Sequence, residues 1–325
     1  MKIPLVRIAR IAAVCLVAVV VVPAQQSRLE EGVLRLWSGN DAEAKKIFDE
    51  ILKSDDKNAE AHYRLAQVYL RRALQDEDEA VDHMERAVEL NPNNADYQFT
   101  LGQAYGLKAQ KAGIIKKMIV APKVKTAFEK AVQLNPRHVG AHIGLTQYLW
   151  QAPGIIGGDM ERAWKEVEIV RSLDEFQGAR LKVQILEREK KFDDAEKEYR
   201  SYTTAHPKDW RVWKNYGYFC LRRAKNDEAV TAFDKYVELK PDTADAYDSR
   251  AEALIKKNEY DKAETDLTKA LSLDNNFISA VEQLAQVYEH QGKKKEARET
   301  YQRYASLERD ETKRKKAEEK VKSLQ

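Results

Sequence analysis

The chain has 325 residues, of which 34% are charged, and it contains only 13 glycines and 8 prolines. This composition favours helices with solvated outer faces and argues against a β-sandwich or a disordered chain. The formal net charge of +3 is too small to support a general attraction to nucleic acid.

The first 24 residues have the pattern of an export signal. Lys2, Arg7 and Arg10 precede a 12-residue apolar run that ends at Val22 and is followed by Pro23-Ala24. The run is shorter than the roughly 20 residues needed to span a bilayer, and the residues before Gln25 fit a secretory cleavage site. We expect cleavage after Ala24 and an exported protein, periplasmic or secreted. An uncleaved N-terminal membrane anchor is the alternative.

Loss of this segment would change the charge balance. Three of the 56 Lys and Arg residues lie in it, which leaves 53 basic residues against 53 acidic ones. The mature chain would be near neutral and would keep one cysteine, Cys220, so an intrachain disulfide is excluded. Cys220 falls at a helix-packing position, where we expect a small buried side chain.

A pattern with a period of 34 residues runs through the second half of the chain. A small residue recurs at each period, and a bulky apolar residue follows it by four positions. The pairs are Ala195 with Tyr199, Ala229 with Phe233, Ala263 with Leu267, and Ala297 with Tyr301. Residues four apart share a helix face, so each pair marks one packed helix. The period and its two helical stretches resemble the tetratricopeptide repeat (TPR).

The TPR resemblance covers almost the whole mature chain. Eight units can be registered, at 25–58, 59–94, 95–138, 139–175, 176–209, 210–243, 244–277 and 278–311, and the charged segment 312–325 suits a capping helix. The resemblance implies an all-α, right-handed superhelix, or α-solenoid, of about eight helix–turn–helix repeats. It also implies that the first helix of each repeat lines a concave groove.

Two insertions interrupt the regular array. In the third unit, about ten extra residues separate the two predicted helices, and Lys108–Lys125 contains six lysines, several apolar residues and no acid. Helix extension, with apolar residues packed on the fourth repeat, is one interpretation; a basic amphipathic contact with anionic lipid or an acidic partner is the other. In the fourth unit, the turn Ala152–Asp159 resembles one found in exported bacterial TPR proteins. There Asp159 should cap the second helix.

The sequence predicts neither catalysis nor a bound cofactor or metal. His138 and His142 have helical spacing, but Val139 stands where a zinc protease would carry glutamate, and no third ligand is evident. No nucleophile elbow or cysteine–histidine signature is present.

The repeat register predicts the partner-binding groove. It comprises Tyr63, Arg64, Gln67, Phe99, Gln103, Gln147, Trp150, Arg180, Gln184, Arg211, Lys214, Asn215, Tyr218 and Arg222. Aromatic and amide side chains come first and a cationic stretch follows. An acidic stretch in the last two units comes after them, with Asp245, Asp248 and Glu252. Trp, Tyr and Arg are the residue types that anchor protein interfaces.

Two functions remain open from the sequence. The first is an exported, non-catalytic scaffold that holds a peptide or protein segment in the groove. The second is a structural component of a cell-envelope assembly that acts through its outer faces and the basic insertion, with peripheral membrane contact through Lys108–Lys125. The identity of the protein partner does not follow from the residues.

Overall fold

A computed structural model describes residues 26–71 and 74–324, so the predicted signal peptide lies outside the described residues. These residues form seventeen α-helices and no strand. The helices are α1 (26–37), α2 (Asp41–Ser54), α3 (Ala59–Tyr69), α4 (Glu77–Leu90), α5 (Ala95–Lys111), α6 (Ile114–Leu134), α7 (Val139–Gln151), α8 (Met160–Leu173), α9 (Glu175–Arg188), α10 (Phe192–Ala205), α11 (Trp210–Arg222), α12 (Asn226–Leu239), α13 (Ala244–Lys256), α14 (Tyr260–Leu273), α15 (Ile278–His290), α16 (Lys294–Leu307) and α17 (Glu311–Ser323). Across the described ranges, no helix is both long and apolar enough to cross a membrane.

The predicted all-α fold class of paired helices is confirmed. Each of the eight registered ranges holds two helices, apart from shifts of a residue at their ends, and α17 follows them. Asx side chains begin several helices: the Asn58 side chain accepts a hydrogen bond from the Ala61 amide at 3.0 Å, and Asp76 accepts from the amides of Asp78 and Glu79. These acceptors satisfy amide groups that have no partner within the helix.

In the core, small residues of one helix pack against large apolar residues of another. The four alanines of the 34-residue pattern are fully buried, and so are Phe233 and Leu267. At the equivalent place in the first helix of the sixth repeat, a β-carbon on Gly217 would lie 2.5 Å from the Phe233 ring. Only a small side chain fits such a contact, because interiors pack as densely as crystals. Cys220 is buried, as predicted.

The described chain divides into two compact units, Met1–Lys182 and Val183–Gln325. In the first, apolar residues of α3 to α8 form one large cluster, and α1 to α3 form a smaller one. In the second, α13 to α15 share a cluster, and α15 to α17 share another around Ala317.

The third repeat corrects one expectation about its insertion. Its two helices are separated by only Ala112 and Gly113, because the extra residues lengthen α5 to 17 residues and α6 to 21. The insertion is therefore helical, and Val120, Ala121 and Val124 pack in the apolar cluster that includes the fourth repeat, but the apolar residues at the start of α6 are largely exposed. Ile114, Ile115, Met118 and Ile119 are between 51 and 81% exposed. They lie at the start of α6, where most of their surface is exposed to solvent.

The turn between α7 and α8 has the backbone that its glycines predict. Gly157 has a φ of +93°, and a β-carbon on Gly158 would lie 1.8 Å from the Ala152 carbonyl oxygen. Both positions therefore require glycine. The predicted cap is confirmed, since the Asp159 side chain accepts a hydrogen bond from the Arg162 amide at 3.0 Å. This turn holds Ile155 beside the start of α6.

Candidate functional site

A cavity of about 920 Å³ lies between α5, α6, α7 and the turn that follows α7. Its volume is within the range of small-molecule and side-chain pockets. Among the described residues, it is lined mainly by apolar residues and glycines, with four glutamines and one charged residue, Lys117. The glutamines are Gln103, Gln110, Gln147 and Gln151, and the apolar lining includes Leu107, Ala121, Val124, Phe128, Tyr148 and Ile156.

The lengthened third repeat explains the cavity. Where α5 and α6 have ordinary repeat length, Gly102 of α5 and Gly144 of α7 both pack on Phe128, and a β-carbon at either would lie 2.6 Å from its ring. One helical turn further along α5, a β-carbon on Gly106 would have no atom within 4 Å. The helices therefore meet tightly at Phe128 and leave space open beside Gly106.

Two predicted groove residues meet in this cavity. Gln103 and Gln147 both line it, from α5 and α7 respectively. Amide side chains can donate and accept hydrogen bonds, so they suit the backbone of an extended segment. The cavity combines this polar edge with an apolar floor.

The other predicted residues of the first unit do not line the cavity. Tyr63 stacks on Tyr97 with ring centroids 4.8 Å apart, and Arg64 pairs with Glu60 at 2.7 Å and donates to Gln67. These contacts hold the side chains along α3 and α5 as a half-buried surface.

Phe99 and Trp150 are turned further inward than a groove position implies. The Phe99 ring lies 4.8 Å from that of His138 and 6.0 Å from that of Phe128. Trp150 packs on the apolar cluster, and its Nε1 is buried with no hydrogen-bond partner among the described residues. Both rings therefore contribute to the core as well as to the surface.

In the second unit, the predicted cations are matched by acids. Lys214 lies 2.7 Å from Asp245, Arg211 lies 2.7 Å from Asp209, and Arg222 lies 3.0 Å from Glu187. These acids offset the charge of the predicted cationic stretch. The register predicts which residues share a face, but the acid that pairs with Lys214 is 31 positions away, on the next first helix.

Hydrogen bonds continue between successive first helices of this unit. The hydroxyls of Tyr218 on α11 and Ser249 on α13 are 2.8 Å apart, whereas Asn215 donates within α11 to the Arg211 carbonyl oxygen. Asp248 accepts from Ser279 and Gln283, at 2.8 and 2.9 Å. Burial raises the pKa of Asp248 to about 7; the Ser279 bond opposes this, and the Asp245 and Glu252 carboxylates add to it. The surface formed by the first helices of this unit is therefore polar, and most of its side chains form hydrogen bonds or ion pairs with one another.

Arg180 and Gln184 lie on α9. The Arg180 guanidinium donates to Gln177 at 2.9 Å within the first unit, and Gln184, in the second unit, is half-buried. Over the two described ranges, no group of three or more His, Cys, Asp or Glu residues could hold a metal ion.

Sequence reasoning missed most of the cavity lining. Leu107, Ala121 and Val124 belong to the lengthened helices, where the repeat pattern gives no register. The available signal was Gly106, which stands four residues after the packing position Gly102 on the same helix face. A second glycine at this position leaves the helix face without a side chain, so it indicates open space beside α5.

Comparison with known families gives two partial matches. Residues 183–320 match the middle TPR-like domain of cilia and flagella-associated protein 70, and residues 31–152 match the family called regulator of microtubule dynamics protein 1-3. Human superkiller complex protein 3 is 25% identical over 273 residues, which are 81% of this chain but only 16% of that protein. The chain thus spans less than a fifth of the length of this relative.

Solved structures share the fold. Yeast Tom70 aligns with a TM-score of 0.66 at 19% identity, over 87% of this chain and 58% of that one. A tetratricopeptide repeat protein from Parabacteroides merdae aligns with a TM-score of 0.53 at 15% identity, over 82% of this chain and 99% of that one. With the paired helices and their small-to-large contacts, these likenesses identify the chain as a TPR-like repeat protein with an all-α solenoid fold.

Proposed function

We propose that this protein is an exported, non-catalytic scaffold that holds a segment of a partner protein against its first helices. The observation that carries the proposal is the cavity between α5, α6 and α7, with its apolar floor and amide edge. In interfaces, most of the binding free energy comes from a few side chains that fill well-packed, desolvated pockets.

The chemistry of the cavity favours an apolar side chain as the anchor. In the part of the chain that the structure describes, its lining contains no acid that could pair with a basic anchor, and the cation that lines it, Lys117, is exposed to solvent. The backbone of the bound segment would exchange hydrogen bonds with Gln103 and Gln147.

Gly106→Leu tests this proposal. Nothing lies within 4 Å of the new β-carbon, so the added side chain would extend into the cavity and reduce its volume. A photo-crosslinking residue at Gln103, used in the native compartment, would capture the partner for identification by mass spectrometry. We expect Gly106→Leu to abolish the specific crosslink.

Two controls make the result decisive. A photo-crosslinking residue at the exposed Thr268 of α14 should not capture the same partner. The Gly106→Leu variant should keep its circular dichroism and melting temperature. An unchanged crosslink in this folded variant would contradict binding in the cavity.

Export rests on the N-terminal sequence and has its own test. N-terminal sequencing of the protein from its source cell should begin at Gln25. A chain that begins at Met1 and sediments with membranes would support the anchor alternative.

A further inference from the structure

The start of α6 projects from the molecule as an exposed apolar tip, which we define as residues 113–119. Every residue of this α6 tip is exposed, and it carries four large apolar side chains: Ile114, Ile115, Met118 and Ile119. Ile155 of the turn after α7 is 87% exposed and lines the cavity together with Ile114 and Met118. Contiguous exposed apolar surface of this kind marks an interaction site.

The charges around the tip separate it from the rest of the basic insertion. Carboxylates of α4 pair with three of the insertion's lysines: Asp78 with Lys108 at 2.7 Å, Glu77 with Lys111 at 2.6 Å and Glu85 with Lys123 at 3.5 Å. Within the described ranges, no ion pair involves Lys116 or Lys117. These two cations therefore remain available beside the apolar residues.

The start of the helix adds to this positive character. The tip contains no acidic residue, and the first turn of α6 contains none either. No side chain caps the helix at Gly113, so the positive end of the helix dipole is not offset by a local carboxylate. The tip thus places two lysines between two pairs of apolar side chains at a helix start. This arrangement suits a partner that offers both negative charge and apolar surface.

We propose that the α6 tip docks on the surface of an anionic lipid bilayer. Apolar side chains of an interfacial helix enter the boundary between headgroups and acyl chains to a depth of roughly 5–10 Å, and lysines meet the lipid phosphates. The tip supplies both groups within two helical turns, and every one of its residues is exposed. The inference is independent of cavity binding, because Ile115, Lys116 and Ile119 do not line the cavity.

Vesicle flotation tests the proposal. The protein, in the form its source cell produces, would be mixed with vesicles of phosphatidylcholine alone or of phosphatidylcholine and phosphatidylglycerol in equal parts. We expect binding to the anionic vesicles that weakens as salt is raised. Lys116→Glu with Lys117→Glu should weaken it at least about tenfold, and Ile115→Ser with Ile119→Ser should weaken it at every salt concentration.

A matched charge reversal controls for non-specific attraction. Lys294 and Lys295 form another exposed pair at a helix start, that of α16. Lys294→Glu with Lys295→Glu makes the same change in net charge, and we expect it to leave vesicle binding close to wild type. Equal losses in the two charge-reversed variants would overturn docking by the tip.

A second measurement reports on insertion of the tip itself. In Ile119→Trp, quenching by brominated lipid should exceed that of the wild type, whereas Lys295→Trp should add none. Absence of extra quenching in Ile119→Trp would overturn the proposal even if residues 11–22 hold the chain on the vesicle. Failure of the wild type to bind anionic vesicles would also overturn it, in favour of an acidic protein as the occupant.

Discussion

The third and sixth repeats follow the same packing rule and yet present different surfaces. In the sixth, α11 and α12 have 13 and 14 residues, and Gly217 packs on Phe233. In the third, α5 and α6 have 17 and 21 residues, and Gly102 packs on Phe128. The two helix pairs therefore share the same glycine-on-phenylalanine contact. They differ in the extra helical turns that α5 and α6 carry beyond this contact.

Those added turns have no neighbour of matching length. The helices around the sixth repeat end together, and polar residues on successive first helices satisfy one another, as Lys214 and Asp245 do at 2.7 Å. The longer α5 and α6 extend past α7, which leaves the cavity beside Gly106 and the exposed α6 tip. Helices of unequal length therefore leave an open cavity and an exposed helix start. In repeats of regular length, the corresponding residues are engaged in contacts with neighbouring helices.

The largest expected effect comes from one substitution made in both repeats. Gly217→Leu would force a side chain into the Phe233 ring and should lower the free energy of unfolding by about 1–3 kcal/mol or more. Gly106→Leu has open space and gains helix propensity, so it should be neutral or stabilising by up to about 1 kcal/mol. Urea unfolding of the two variants measures the difference. Equal destabilisation would mean that the space beside Gly106 is not available.

A second overpacking variant examines the small position of a second helix. Ala263 of α14 is fully buried, so Ala263→Leu should cost about 1–3 kcal/mol. Ala263→Gly is the control that changes the residue without overpacking the contact. It should lower the free energy of unfolding by about 1 kcal/mol, because glycine has a lower helix propensity than alanine. An unchanged melting temperature for Ala263→Leu would show that this contact can expand.

The polar face of the second unit should give a pH-dependent stability. Because the pKa of Asp248 is raised to about 7 from 3.8, the folded state retains a proton that the unfolded state loses. Stability should therefore fall as the pH rises from about 4 through 7. Asp248→Asn, which resembles the protonated form, should be more stable than wild type at pH 8, and the difference should vanish in acid. Unfolding midpoints at pH 5 and 8 provide the measurement.

A smaller pH effect is expected in the first unit. Burial lowers the pKa of His142, but the hydrogen bond to Glu166 at 2.6 Å, the bond to the Pro136 carbonyl oxygen and the Glu166 charge together outweigh it, so the pKa is raised. The contribution of this pair is then fully present below the unfolded pKa of about 6.5 and is lost as the pH rises through the folded value. His142→Gln should flatten the decrease in stability between pH 6 and 8. An unaltered pH profile would assign the dependence to other groups.

The sequence by itself determined the repeat number, the helix pairs and the small-to-large contacts. The reason is local, because the spacing of apolar residues along a helix fixes the face that packs. The alanine positions and the burial of Cys220 could be inferred from that spacing, and the Asp159 cap from its place before the second helix of the fourth unit. Gln103 and Gln147, which the register assigns to first helices, both line the cavity.

Only the tertiary structure decided what the insertion and the charges do. The residues of 108–125 could form a loop or longer helices, and the choice depends on neighbours that the repeat register does not describe. Likewise, whether Lys214 is free depends on Asp245, 31 residues away, and whether Trp150 faces outward depends on the cluster beneath it. Cavities, exposed tips and ion pairs arise from contacts between helices, and their geometry is set by helix length and packing, which the residue pattern of any one repeat does not contain.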